Sequence, residues 1–434
     1  MNDIRPFRGL RYNEAAAGPL GKLICPPYDV ISPLEQLELH GRSLFNVVRL
    51  ELGFQFPEDD ALANRYTRAG SILNRWLSEG ALRPEVEDSI YLYEQQFSYE
   101  GVAMSRRGVL AALRLTPWGE GVVLPHEETM AGPKVDRLEL MRATACNLSP
   151  LYLLFDDPSG GVRREMEAAM AQRSNATADA GDGQSHRLWV LGGESHRGLL
   201  NALRHPQLYM ADGHHRYETA LAYMAERRAA DPQGSPEAPY NYALVMLVDA
   251  TDPGLVVLPT HRLIRDVEPA VLAGLDASLL ASFVSEPLLA INGSDATANA
   301  AMLLRVLRES RQRGPALGLY RAGGAVTILR PRETIPVSAS GRPLLDMDVL
   351  HEGVLRPLLG IGAERLRAGT NVTYTRDAAE ALAAVEQGKA QAAFLLNPTR
   401  VDQVLETARA GGKMPQKSTY FYPKPATGLV IKRL

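Results

Sequence analysis

Within five residues the chain places a carboxylate, a glycine, two imidazoles and a guanidinium: Asp212-Gly213-His214-His215-Arg216. Side chains of these types can hold an anion, orient a hydroxyl or move a proton. Residues 208–211 before them are apolar and predict a short strand. Asp212-Gly213 is a turn signal. Tyr217, Ala220, Leu221 and Met224 then recur at helical spacing, which predicts a helix over 214–227. A strand, a tight turn and a helix follow from the spacing. The first turn of that helix offers unpaired N–H groups and a partial positive charge, a setting that suits an anion. Gly213 permits close approach of a backbone or a phosphate. Asp212 as a plain N-cap beside two surface histidines is the simpler alternative. Five polar or small residues between an apolar strand and an apolar helix favour a site.

Other polar turns have comparable density. Pro26-Pro27-Tyr28-Asp29-Val30-Ile31 reads as a rigid loop. Ser32 is the natural N-cap of a helix starting near Pro33, which leaves Asp29 available. Pro125-His126-Glu127-Glu128-Thr129, Gly132-Pro133-Lys134 and Asp136-Arg137 form a loop of both charge signs leading into a helix that reaches Thr144. His126 and Glu127 lack the second histidine of a zinc signature. Pro259-Thr260-His261-Arg262 follows a short apolar strand, where a site or an edge turn reads equally well. Asp346 and Asp348 read as a charge pair at a helix start, favoured over a cation site. Lys417-Ser418-Thr419 lacks the preceding glycines of a phosphate loop, and that match is rejected.

The elements that must carry these turns alternate irregularly. Alternation predicts a strand over 44–52, and an apolar stripe predicts a helix over 57–82. Strands over 89–97 and 104–115 flank Tyr99-Glu100-Gly101 as a hairpin, with Arg106 and Arg107 read as solvated. Residues 174–183 read as a polar surface loop, and 267–283 as one helix. A hairpin is expected around Gly323-Gly324. The fold class is α+β with mixed sheets and two lobes: residues 1–265 and residues 266–434, the tail of the latter returning to the cleft.

Composition bounds the partners. The chain has 434 residues, a net charge of −3 and an apolar fraction of 45%. That is an ordinary globular composition with no global attraction to nucleic acid or an anionic membrane. Two cysteines, Cys25 and Cys146, argue for a reducing compartment. Neither a signal peptide nor a membrane span is read, so a cytoplasmic, soluble protein is expected.

Five motifs occur in order: Pro26-Pro27-Tyr28-Asp29-Val30; His126-Glu127 with Thr129 and Pro133-Lys134-Val135-Asp136-Arg137-Leu138; Asp212 to Ala220; Pro259-Thr260-His261-Arg262; and Lys417-Ser418-Thr419 with Pro423-Lys424. Through them the chain resembles, over nearly its whole length, the uncharacterised prokaryotic family numbered 1015 among the domains of unknown function. Members of that family are often labelled ParB-like. The stretch Asp212–Arg216 is also similar to the motif of the ParB/sulfiredoxin superfamily, whose turn holds nucleotide phosphates. Free serine kinases of that superfamily carry an Asp-Gly-His-x-Arg version, and His215 fills the variable position here. The resemblance implies a ParB/sulfiredoxin-like core with a C-terminal α+β lobe. It also implies ATP or ADP with Mg2+, and phosphoryl transfer to a small hydroxylated metabolite such as free serine.

On that reading Asp212 is the base or a magnesium ligand, Glu127 is the other candidate base, and His214 joins them. Gly213, His215 and Arg216 hold phosphate, with Lys134, Arg137, His261, Arg262 and Lys417 as further cations. Sulfiredoxin chemistry needs a cysteine in the turn, and none is there. The alternatives are a non-catalytic nucleotide-binding or ParB-like partition protein, and a metabolite-binding protein. The mild acidity and the lack of a helix-turn-helix argue against DNA binding.

Overall fold

The computed structural model describes residues 1–127, 132–288, 296–323, 326–333, 344–415 and 417–434. Thr129 and the second glycine of the expected 323–324 turn lie outside the described residues. The chain divides into two compact units. Unit 1 comprises 1–125, 129–256 and 421–434; unit 2 comprises 126–128 and 257–420.

Unit 1 is built on a mixed sheet of nine strands among the described residues. In chain order these are β1 (Ile4–Arg5), β2 (Ser89–Tyr99), β3 (Val102–Arg114), β4 (Val123–Leu124), β5 (Leu151–Phe155), β6 (Ala176–Asp179), β7 (Ser185–Gly192), β8 (Leu208–Asp212) and β9 (Tyr242–Asp249). Their spatial order is β4-β8-β5-β9-β3-β2-β7-β6, with β1 beside β3. The β4–β8 and β5–β9 pairs are parallel, and the other pairs are antiparallel.

The β2–β3 hairpin turns at Glu100 and Gly101, with φ of 49° and 79°. Two central residues in the left-handed region are what a tight hairpin turn of matching twist requires. Five helices matter to the site: α1 (Pro33–Arg42), α2 (Arg65–Ser78), α3 (Gly132–Thr144), α4 (Gly161–Met170) and α5 (His214–Ala230). The core joins Leu153, Phe155, Val245, Leu247 and Met210 of the sheet to Tyr217, Ala220 and Met224 of α5.

In unit 2 the sheet strands are β10 (His261–Ile264), β11 (Phe283–Pro287), β12 (Leu317–Tyr320), β13 (Thr327–Pro331), β14 (Val372–Thr375) and β15 (Ala392–Leu396). They run β11-β13-β12-β15-β10-β14, antiparallel throughout. Helices α6 (Ala296–Ser310) and α7 (Ala378–Glu386) supply Leu303, Leu307, Ala381, Leu382 and Val385 to its core.

Four local expectations are corrected. Residues 44–52 hold a short helix, Val48–Glu51, and no strand. Asn46 accepts from the N–H of Val48 at 2.9 Å and donates to the carbonyls of Lys22 and Ile24, which pins a tight turn. The helix expected from residue 57 starts at Arg65. Asp60 takes the N–H groups of Leu62 and Ala63, and Asn64 and Thr67 form a capping box. Residues 176–179 are the edge strand β6, whose one buried side chain, Ala178, leaves little apolar signal. Residues 267–283 break into helices Pro269–Ala273 and Leu275–Ser282, and Phe283 opens β11. No helix among the described residues is long and apolar enough to cross a membrane.

Candidate functional site

β8 delivers Asp212 and α5 begins at His214, with Gly213 between them at φ 98°. A Cβ at Gly213 would lie 3.0 Å from Leu151 and 3.1 Å from the Arg216 guanidinium, so packing as well as backbone conformation selects glycine. Asp212 makes no side-chain cap to α5. Its Oδ2 instead accepts from Arg216 at 2.7 Å, and its Oδ1 is paired with Lys424 Nζ. Lys424 belongs to the returning tail of unit 1. Gln95 donates to its carbonyl at 3.0 Å, and Arg106 donates to the carbonyl of Pro423 at 2.5 Å. Arg106, expected to be solvated, is fully buried against the ring of Tyr152 because it ties down this tail.

Burial alone would raise the Asp212 pKa. Lys424 first, then Arg216, outweigh burial and hold the carboxyl well below the usual carboxylate range. Burial opposes the charge on Arg216, and Asp212 together with Asp29, Tyr28 and Glu51 more than offsets it. Arg216 also donates to Ser149 Oγ at 3.1 Å and to the carbonyl of Pro150 at 2.7 Å. From there a relay of opposite charges continues. Ser149 donates to Glu51 at 3.3 Å, Arg137 lies 3.6 Å from Glu51, and Asp136 accepts from Arg137 at 2.6 Å. The Arg137 guanidinium sits 4.0 Å from the ring centroid of Tyr28. Burial lifts the Tyr28 hydroxyl to about 12. Asp29 is exposed and attracts Arg216. Ser32 caps α1, as expected. A cavity of about 40 Å³ behind Arg216 is lined by Glu51, Arg137 and Ser149. At one to a few waters' worth of space, it is far too small for a nucleotide.

His214 is buried beside Trp118, their ring centroids 6.2 Å apart, and Trp118 stacks on Tyr217 at 4.3 Å. The backbone carbonyl of His215 accepts from Thr219. Lys134 pairs with Glu218, one turn into α5 beyond His214, and Trp118 donates to the same carboxylate. Asp212, Gly213, His214, His215 and Arg216 therefore share one turn, with Lys134 joined to its helix and Arg137 joined to Arg216 through Glu51 and Ser149.

Glu127, His261, Arg262 and Lys417 lie in unit 2. Glu127 Oε1 accepts from the N–H of Lys417 at 3.1 Å, and His126 is within 2.9 Å of Thr419 Oγ1. Arg262 is fully buried and donates to the carbonyls of Lys417 and Thr260, its guanidinium 5.3 Å from the Tyr374 ring centroid. Burial brings its pKa down to about 10. His261 is also buried. Its Nδ1 accepts from Leu396 N–H at 3.2 Å, and burial drops its pKa to about 3. At neutral pH His261 is an uncharged acceptor, so it contributes no cation. Asp348 caps its own helix at Leu345 N–H, and Asp346 binds Asn397, so this pair organises backbone.

Lys424, Glu51 and Ser149 are site neighbours that residue-by-residue reading did not select. Pro423-Lys424 carried a signal only as part of an ordered motif set. Glu51 and Ser149 carried none, because each matters through partners more than 60 residues away.

The model of the family described as "Protein of unknown function (DUF1015)" matches residues 4–350, and the chain belongs to that family. No curated protein matches. Solved structures share a distant likeness. A conserved hypothetical protein from Pyrococcus furiosus is 14% identical, with 72% of this chain and 90% of that one covered and a TM-score of 0.34. A free serine kinase in complex with AMP is 13% identical, with 72% and 86% covered and a TM-score of 0.36. SbnI with a C-terminal truncation, from Staphylococcus aureus, is 10% identical, with 73% and 85% covered and a TM-score of 0.34.

Proposed function

We propose that this chain binds a nucleotide at the turn Asp212–Arg216 and passes its phosphoryl group to a small hydroxylated metabolite, free serine being the first to test. The observation that carries the reading is the strand–glycine–helix turn, with Arg216 and Lys424 both paired with Asp212 at the start of α5. Phosphoryl transfer is mostly positioning and charge stabilisation, so fixed cations at a helix N-terminus are the parts it needs. His214, His215 and Arg216 hold phosphate in this reading, and Lys134, Arg137 and Lys424 add positive charge around them. His261 is withdrawn as a cation and kept as a neutral acceptor beside Arg262. The ParB/sulfiredoxin-like label for the core belongs to the same proposal.

Asp212 fits the part of an anchor for two cations better than that of a base. A carboxyl held far below the usual range accepts a proton poorly. The other candidate base of the sequence reading, Glu127, lies in unit 2, and no base is assigned to the turn. Magnesium finds a weak fit. Both Asp212 oxygens already hold side-chain cations, and no three metal-ligating side chains gather among the described residues. Bound with the nucleotide, the ion would neutralise phosphate charge, and we assign it no protein ligand.

The test is incubation of the pure protein with ATP or ADP, Mg2+ and a panel of amino acids and polyols, with phosphorylated products read by mass spectrometry. A phosphorylated metabolite supports the reading. Absence of both nucleotide binding and consumption removes it. The salt-bridged state of Asp212 also favours a second reading, nucleotide binding without turnover, and saturable binding with no product would select it.

A further inference from the structure

Unit 1 carries a second cavity, of about 480 Å³, within the size range of small-molecule sites. It opens where β5 and β9 end side by side, at Phe155 and Asp249. Asp212 pairs with Tyr152, near the start of β5. The two places are thus separated by most of that strand, roughly 10 Å at 3.3 Å per residue. Crevices at the carboxyl ends of adjacent parallel strands are recurrent ligand positions.

The wall is apolar, with Phe155, Met104 and Met166 among its lining residues. The charged lining is three carboxylates, Asp249, Asp252 and Glu167, against two guanidiniums, Arg107 and Arg163. Both guanidiniums are already held. Arg163 bonds Asp249 at 2.9 Å and Thr251 at 2.6 Å, and Arg107 bonds Glu94 at 3.0 Å. Asp252 accepts from the backbone N–H groups of Gly254 at 2.8 Å and Arg107 at 3.3 Å, and among the described residues no cationic side chain forms an ion pair with it, Arg106 attracting it only from further off. Ser105 is also among the lining residues, its Oγ shielded from solvent and without a hydrogen-bond partner among the described residues, so it offers the cavity no hydroxyl. A half-buried carboxylate beside an apolar wall is complementary to a charged amine with a hydrocarbon body.

We infer that this cavity is a binding site for a small organic ammonium ion with an apolar chain, its nitrogen on Asp252 and its chain against Phe155, Met104 and Met166. The site is separate from the nucleotide turn, so its test does not depend on phosphoryl transfer.

Calorimetric titration of the full chain with n-hexylammonium, n-hexanol and hexanoate tests it. Saturable binding of the ammonium is expected, with the alcohol about tenfold weaker, as loss of one charged hydrogen bond implies, and the carboxylate not bound. Asp252→Asn keeps an acceptor for Gly254 and should bring the ammonium down to the affinity of the alcohol. Ala103→Trp, at an exposed strand position lining the cavity, should block both. Ammonium and alcohol binding alike, an unchanged Asp252→Asn, or no saturable binding to the wild-type protein would each overturn the assignment.

Discussion

Two cations closing on one carboxylate make Asp212 the residue whose charge matters most in unit 1. Its side chain is 17% exposed, and that of Lys424 is 5% exposed. Asp212→Asn preserves shape but leaves Lys424 and Arg216 desolvated without their counter-charge. Removing one partner of a buried pair costs about 3 kcal/mol, and denaturant unfolding at neutral pH should read a loss of that order. The linkage has a definite sign. The folded pKa lies below the ordinary value of 3.8, so the contribution is fully present above that value and is lost as pH falls towards the folded value. The gap between wild type and Asp212→Asn should therefore begin to narrow only as pH falls below about 3.8 and should close towards the folded value; a gap that does not narrow over that range would mean that charge is not the cause. The motif itself was legible because its signals lie within five consecutive residues. Lys424 was not, because it reaches Asp212 across 212 positions and only the returning tail brings it there.

The strand–turn–helix element depends on Gly213 as Asp212 depends on its partners. Gly213→Ala would put a methyl group 3.0 Å from Leu151 and 3.1 Å from Arg216, at a φ of 98° that alanine rarely adopts. Strain of this kind costs roughly 1–3 kcal/mol, and relief by shifting Arg216 would loosen its bond to Asp212. The variant should lose stability by that amount and also weaken nucleotide binding. Full nucleotide affinity in a destabilised variant would separate the turn from the proposed site. Elements were readable where local chemistry decides them. Glu100-Gly101 sets the β2–β3 hairpin, and Ser32 starts α1. They were misread where a side chain overrides the apolar pattern. Asn46 bends residues 44–52 into a helix, and the capping box at Asn64 delays α2 by eight residues from its expected start at 57. Edge strand β6 went unread for a third reason, since a strand with one buried residue resembles a loop.

Across the whole molecule, acid tolerance is set by histidines buried in the neutral form. His186 in unit 1 bonds Tyr93 at 2.8 Å, and burial lowers its pKa to about 4. In unit 2, burial, assisted by Arg262, lowers both His261 and His351 to about 3. Among the described residues Nε2 of each of these two rings has no hydrogen-bond partner, and the attraction of Asp377 for a charged His261 is outweighed by burial and Arg262. An unfolded chain takes up these protons from about pH 6.5 downwards while the folded chain refuses them. Stability therefore falls as pH drops from 6.5 towards the folded values. Each group costs about 2 kcal/mol by pH 5. Asp252 and Asp346, raised by burial, act in the opposite sense around and above 3.8, so the wild-type slope alone is ambiguous. The difference from a variant isolates the histidines. His261→Gln with His351→Gln should reduce the loss of unfolding free energy between pH 7 and pH 5 by about 4 kcal/mol. His186→Gln should recover about half as much, in unit 1. Equal pH slopes in wild type and the double variant would mean that protons reach these rings in the folded state. In that case the burial around Arg262 would be open to solvent, and Arg262 would be available to an anion from outside.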